Sequence, residues 1–194
     1  MYMNQGNKKN KIAIIGHTKG IGRAIANLYQ KKNYEVVGLS SSNGYDLQCS
    51  QVEIMEQLDR CQLIVINAYV GKSQMTLLKR IYGKYLFENK KVAVITSTSG
   101  TPIGADEELD NPEYVDYCKN KKTLIGYIEE LQQELLNKPL SVYDVCPDVV
   151  DTDMTKGLWE DLPKLKAEEV AEAVRYCFES TFNVNKIVIQ KNVS

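Results

Sequence analysis

Lys11-Ile12-Ala13-Ile14-Ile15-Gly16-His17-Thr18-Lys19-Gly20-Ile21-Gly22-Arg23-Ala24-Ile25-Ala26 reads as an apolar strand, a glycine loop and the opening of a helix. That order is what a phosphate-binding turn requires. Gly16 at the strand end permits a tight turn, Gly20 lets backbone N–H groups approach a pyrophosphate, and Gly22 allows close helix packing. The helix N-terminus adds positive potential. The loop therefore suits a dinucleotide. The bland alternative is a glycine-rich turn with no ligand, and the placement directly after a strand argues against it.

Outward from this loop, short β-branched runs alternate with longer helical patterns along the whole chain. Strands are expected at Lys11–Ile15, Glu35–Leu39, Gln62–Ile66, Lys91–Thr96, Leu140–Val145 and Lys186–Gln190. Each is nearly continuous in apolar residues, as in strands covered on both faces. Helices are expected at Ile21–Lys32, Val52–Asp59, Gln74–Phe87, Tyr114–Asn137 and Ala167–Ser180, the fourth carrying Leu124, Ile128, Leu131 and Leu135 at helical spacing. Such alternation predicts an α/β fold: three layers, doubly wound, with a parallel sheet of six or seven strands. The longest irregular segments, Gly100–Glu113 and Asp148–Lys166, follow strands at the carboxyl end of the sheet, where ligands bind in this architecture.

The composition bounds the function. With 194 residues, 43% hydrophobic and 25% charged, the chain is expected to form one domain, residues 1–194, with a polar, flexible stretch over Met1–Asn10. Lys and Arg number 24 against 25 Asp and Glu, a net charge of -1, which gives no broad case for nucleic acid or an anionic membrane. No apolar run approaches bilayer length, so the chain reads as cytoplasmic. Cys49, Cys61, Cys118, Cys146 and Cys177 are odd in number and widely spaced, and they read as buried or partly buried free thiols. His17 is the only histidine, which argues against a Ser-His-Asp hydrolase and against any site needing two imidazoles; no metal site is expected.

The spacing Gly16-x-x-x-Gly20-Ile21-Gly22 resembles the cofactor loop of the short-chain dehydrogenase/reductase family, and the resemblance continues in order. Asp46-Leu47 is similar to the family's acidic-hydrophobic pair beside the adenine. Ile66-Asn67-Ala68-Tyr69 resembles a degenerate Asn-Asn-Ala-Gly, and Ile95-Thr96-Ser97-Thr98-Ser99-Gly100 resembles the catalytic-serine strand end. Tyr117-Cys118-Lys119-Asn120-Lys121 is similar to the Tyr-x-x-x-Lys motif, Cys146–Met154 to the Pro-Gly-x-x-x-Thr segment, and Lys166–Ala171 to the opening of the last helix.

The resemblance implies a Rossmann-type fold and hydride transfer between a nicotinamide cofactor and a small carbonyl or alcohol substrate. It implies Ser97, Tyr117 and Lys121 as catalytic residues. Tyr117 would be the acid for reduction, Lys121 its partner and a ligand of the nicotinamide ribose, and Ser97 would hold the substrate oxygen. Tyr117 and Lys121 lie four apart on one helix face, and an ammonium beside a phenol is expected to lower the phenol's pKa. The cofactor site implied comprises Gly16, Lys19, Gly20, Ile21, Gly22, Ser40, Asp46, Leu47, Asn67, Ala68, Tyr117, Lys121, Pro147, Val150 and Thr152. An acidic residue after the second strand would bind a free ribose 2′-OH. Ser40-Ser41-Ser42 offers none, and Lys19 stands where a basic residue in this family often meets a 2′-phosphate, so NADP(H) is expected over NAD(H). A solvent-exposed loop lysine is the alternative for Lys19, and Ser99 is an alternative to Ser97.

The chain departs from the family pattern in four places. The stretch between Leu39 and Asp46 is too short for the usual helix. Ile15, Tyr69 and Asp148 replace a Thr and two glycines along the crevice. Gln74–Phe87 contains no counterpart of the asparagine that completes the family's tetrad. Asp106, Glu107, Glu108, Asp110 and Glu113 lie between Ser97 and Tyr117, either as a lid for a cationic substrate or as a solvated charge run. Met154, Leu158, Trp159 and Leu162 are candidate pocket walls. Two other functions stay open: a cofactor-sensing protein with little turnover and a nucleotide-sugar epimerase or dehydratase. A homo-oligomer also stays open, since the helices of the family's dimer face look truncated or altered.

Overall fold

The structure is a computed structural model that describes residues 9–101 and 111–192. In chain order the elements are β1 (Lys11–Ile15), α1 (Gly20–Lys31), β2 (Glu35–Leu39), α2 (Gln51–Leu58), β3 (Leu63–Ile66), α3 (Ser73–Tyr85), β4 (Lys91–Ile95), α4 (Pro112–Glu134), β5 (Ser141–Pro147), α5 (Ala167–Glu179) and β6 (Lys186–Ile189). The strands form one six-stranded sheet in the order β2-β1-β3-β4-β5-β6, and every pairing is parallel. The doubly wound expectation is thus met with six strands among the described residues.

The inner strands β1, β3 and β4 are apolar along almost their whole length because helices cover both their faces. On one face α1 and α5 enclose Ile12, Ile14, Ile25, Tyr29, Val174 and Phe178. On the other, α2, α3 and α4 enclose Ile15, Ile64, Leu77, Ile81, Leu124 and Ile128. The edge strands correct the expectation that all six are covered on both faces: Glu35 and Val188 are exposed, and the rest of β2 and β6 is mostly half-buried. The predicted elements are all present with ends moved by up to three residues. α4 starts at Pro112 because Asn111 caps it, its Oδ1 accepting from the N–H groups of Glu113 and Tyr114. β5 runs on to Pro147, which pairs with Ile189.

Between β2 and α2 the chain makes only a short 3-10 turn, Ser41–Asn43, so the helix expected to be missing is missing. Cys61, Cys146 and Cys177 are buried and Cys118 is half-buried, whereas Cys49 is exposed, contrary to the reading of all five as sheltered. No helix among the described residues is long and apolar enough to cross a membrane. Most of the polar N-terminal stretch, and Asp106, Glu107, Glu108 and Asp110 of the proposed lid, lie outside the described residues.

β1 has β2 on one side and β3 on the other, so the connection leaving β1 and the connection leaving β3 run in opposite directions across the sheet. A crevice opens at the carboxyl ends of β1 and β3. α1 approaches it closely: a Cβ on Gly22 would lie 2.0 Å from the carbonyl oxygen of Gly16 and 2.8 Å from Asn67 Nδ2. Asn67 Nδ2 in turn donates to that Gly16 oxygen at 3.0 Å, tying the glycine loop to the end of β3.

Two opposed effects meet at Gly22. Replacing a helical glycine by alanine ordinarily stabilises by about 0.5–1 kcal/mol. Overpacking against backbone costs about 1–3 kcal/mol. Gly22→Ala should therefore lower stability and weaken dinucleotide binding. Gly126→Ala, on α4 with open space around its would-be Cβ, should stabilise by about 0.5–1 kcal/mol. Urea denaturation of the two variants beside wild type checks both signs.

Candidate active site

Four strand ends supply the site. Gly16 follows β1, Asn67 and Tyr69 follow β3, Ser97 follows β4, and Pro147 ends β5. The half expected to bind phosphate is built from backbone. Neither a side-chain cap nor an acidic residue occupies the first turn of α1, so its N-terminal amides are left to an anion, as a pyrophosphate site requires. Thr152, from the segment after β5, lies against the loop, with its Cγ2 3.0 Å from where a Cβ on Gly20 would be. Lys19 and Asp153 pair across the same opening at 3.6 Å, and both side chains are exposed.

The predicted cofactor residues contribute unequally. Asn67 fixes the loop by its hydrogen bond to Gly16, and the backbone of Ala68 donates to Ile15 at 2.9 Å. Asp46 spends one carboxylate oxygen on the N–H groups of Gln48 and Cys49, while the side chains of Leu47 and Val150 are in the core, leaving only their backbones for a ligand. Ser40 is buried and engaged with Ser42 and Asn43. His17, singled out only as the lone histidine, lies over Gly38: a Cβ there would sit 2.4 Å from the ring. Glycine in β2 makes room for that imidazole.

Ser97, Tyr117 and Lys121 come together as predicted, because α4 packs tightly on the turn that follows β4. A Cβ on Gly100 would lie 2.7 Å from the α4 backbone at Lys121. Glycine lets the helix approach until Lys121 reaches under the strand ends, where its Nζ donates to Ile95 O and to Gln74 Oε1, each at 2.9 Å. The rings of Tyr69 and Tyr117 flank the ammonium at 5.4 and 5.5 Å from their centroids. Tyr69, in the place of a motif glycine, stands edge-on to Tyr117 at 4.8 Å and accepts from Asn120 Nδ2 at 3.1 Å. Its bulk is turned toward α4. Asp148 is engaged by Thr98, whose hydroxyl donates to it at 2.9 Å.

Ser97 Oγ accepts from the N–H of Ser99, whose own hydroxyl accepts from Tyr114. Trp159 tilts onto Tyr114 at 5.7 Å, while Met154, Leu158 and Leu162 are exposed on the same segment. Trp159 holds φ at 49°, in the left-handed region, so the backbone bends where the indole turns to the site.

Electrostatics corrects one expectation. Burial pushes the Tyr117 phenol up to about 12, an effect that hydrogen bonding from Ser97 opposes without overcoming. The expected lowering by Lys121 fails because Lys121 is itself desolvated: only 3% exposed, its amine is held down at about 7, with Asp144 and Cys146 partly restoring the charged form.

No family model matches the chain. Among curated relatives, carbonyl reductase family member 4 of Xenopus laevis is 24% identical, the match covering 91% of this chain and 94% of the relative. The 3-oxoacyl-[acyl-carrier-protein] reductase FabG of Vibrio harveyi is 26% identical over 80% of each chain. Among solved structures, the 3-alpha-hydroxysteroid dehydrogenase from Pseudomonas sp. B-0831, complexed with NADH, shares the fold with a TM-score of 0.76 at 17% identity, over 93% of this chain and 95% of that one. The chain is similar to these reductases and shares its fold with solved short-chain dehydrogenases. What it shares with those structures is the Rossmann-type fold, a parallel sheet between helical layers. Against the motif pattern that the sequence resembles, it departs at Tyr69 and in the shortened passage from β2 to α2; Gln74, a buried residue of α3, was not among the expected site residues.

Linkage gives the buried lysine a measurable signature. Its folded pKa of about 7 lies below the ordinary value of about 10.4, so between these values the unfolded chain holds the extra proton. Stability from this group therefore rises with pH from about 7 to about 10. Thermal unfolding followed over that window should show Tm climbing in wild type and a flatter profile in Lys121→Met.

Proposed function

We propose that the protein is an NADP(H)-dependent reductase and dehydrogenase of small carbonyl and alcohol substrates. The observation that carries this reading is the convergence of Ser97, Tyr117 and Lys121 beside the open N-terminus of α1. The curated relatives, a carbonyl reductase and an oxoacyl reductase by name, support the reaction class. The nicotinamide, when bound, supplies or accepts the hydride. The glycine loop and α1 would hold its pyrophosphate, with Thr152 and Lys121 beside them. Cofactor choice rests on Lys19, whose exposed ammonium has only a distant carboxylate to leave, and on the absence of any carboxylate in Ser40-Ser41-Ser42.

Within that site the chain's own groups divide the work. Tyr117 Oη gives its proton to the substrate oxygen in reduction and recovers it in oxidation. Its raised pKa keeps the phenol protonated at neutral pH, the state a proton donor needs. Ser97 Oγ hydrogen-bonds the same oxygen and orients it. Lys121, charged or neutral near pH 7, adjusts the field at the phenol with little cost in free energy. Tyr114 and Trp159 exclude water from one side.

The cofactor-sensing alternative is favoured by one feature, the Tyr69 ring packed against Tyr117 and Lys121. One experiment separates the readings: NADPH oxidation against a panel of aldehydes, ketones and quinones, beside Tyr117→Phe. Turnover is expected in wild type, and Tyr117→Phe should keep NADPH affinity within about threefold yet lose at least about a hundredfold in kcat. Binding without turnover across the panel would favour the sensor.

In fluorescence titrations NADPH should bind about tenfold or more tightly than NADH. Lys19→Ala should narrow that gap, since one ammonium–phosphate contact is worth on the order of 1–3 kcal/mol. Equal affinities in wild type would remove the NADP(H) assignment.

A further inference from the structure

Gln74 is a fully buried polar side chain, 2% exposed, on the first turn of α3. Its Nε2 donates to Ile66 O at 3.4 Å and Ile95 O at 3.3 Å, the carbonyl oxygens that end β3 and β4. Those acceptors decide the orientation of the amide, since a reversed amide would face oxygen to oxygen. Oε1 is left aimed at Lys121 Nζ, 2.9 Å away.

The ammonium of Lys121 has three hydrogens. One goes to Ile95 O and one to Gln74 Oε1. The third is left for the side flanked by Tyr69 and Tyr117. Ile95 O belongs to the sheet and is present whatever the side chains, so Gln74 is the side chain that decides where Nζ rests. Behind the pair lies a shallow cleft between the start of α3 and α4, lined also by Tyr69, Asn120 and Thr123.

We propose that Gln74 is the positioning residue of Lys121: its oriented amide holds Nζ beneath the Tyr117 ring and stabilises the protonated amine there. This rests on the reading of Lys121 as the partner of Tyr117. Gln74 thus occupies the helix on which the family's asparagine has no counterpart in this chain. Removing Oε1 takes an acceptor from a desolvated ammonium, so the protonated form loses stability; a carboxylate in its place adds a charge of opposite sign at the same distance. The other groups that set this balance are Tyr69 from the β3–α3 connection, Tyr117 on α4, and Asp144 and Cys146 on β5. All are unchanged in the variants below.

The test is made on the cofactor-free full chain, labelled with 13Cε-lysine, with the Lys121 signal assigned by its loss in Lys121→Met. Gln74→Met, of similar volume but without an acceptor, should move the Lys121 midpoint down by about one pH unit, and Gln74→Glu should move it up. In the reductase assay Gln74→Met should lower kcat about tenfold with KM for the carbonyl substrate little changed. Anchoring of the strand ends alone would move both midpoints the same way or not at all, and either result overturns the proposal. Should Gln74→Glu fail to fold, Gln74→Met decides by itself: a midpoint within 0.2 units of wild type rejects the role. The titration needs no substrate, so its outcome is separate from the fate of the assigned acid, which the Tyr117→Phe comparison decides.

Discussion

The contact on which the site depends is the passage of α1 across the carbonyl of Gly16 with no side chain between them. A Cβ at Gly22 would lie 2.0 Å from that oxygen, so the helix can start where it does only because the residue is glycine. Asn67 then locks the arrangement from the neighbouring strand by donating to the same oxygen. The N-terminus of α1 is thereby held over the junction of β1 and β3, where the winding of the chain reverses. The dinucleotide phosphate site proposed above rests on that backbone geometry rather than on charged side chains.

A second close approach, at Gly100, performs the same service for the chemical half. It brings α4 against the turn after β4, and Lys121 becomes one of the few buried charged side chains among the described residues. Desolvation then dominates the electrostatics: it holds the amine down at about 7 and pushes the phenol of Tyr117 up to about 12. The two groups shift in the direction that makes each neutral, which is the general response of ionisable groups removed from water. The rings of Tyr69 and Tyr117 meet edge to face beside the amine, and Trp159 packs on the neighbouring Tyr114.

The protein is also a reduced version of its architecture. Between β2 and α2 a 3-10 turn capped by Ser40 and Asn43 replaces a helix, and β2 is left as an edge strand, with Glu35 exposed and paired to Lys11 at 2.6 Å. Charge on an edge strand discourages pairing with another chain. Beside that turn the ring of His17 is seated on Gly38, and the carboxylate of Asp46 caps its own turn.

The amino-acid sequence by itself determined the order of strands and helices, the glycine loop, and the meeting of Ser97, Tyr117 and Lys121. The first two depend on local periodicity and on strand-end glycines, and Tyr117 and Lys121 lie four apart on one helix; Ser97, twenty positions before Tyr117, was expected beside them only from the family resemblance. The sequence even carried the true start of α4, in the Asn111-Pro112 cap. The tertiary structure alone decided the rest. Gln74 meets Lys121 across 47 positions of sequence, and the Tyr69 ring meets Tyr117 through the packing of α4 on the sheet. The phenol's rise, where a neighbouring lysine suggested a fall, is likewise a matter of burial. No local pattern encodes which polar groups the packing removes from water, and desolvation of Lys121 and Tyr117 outweighs the charge that their spacing brings together.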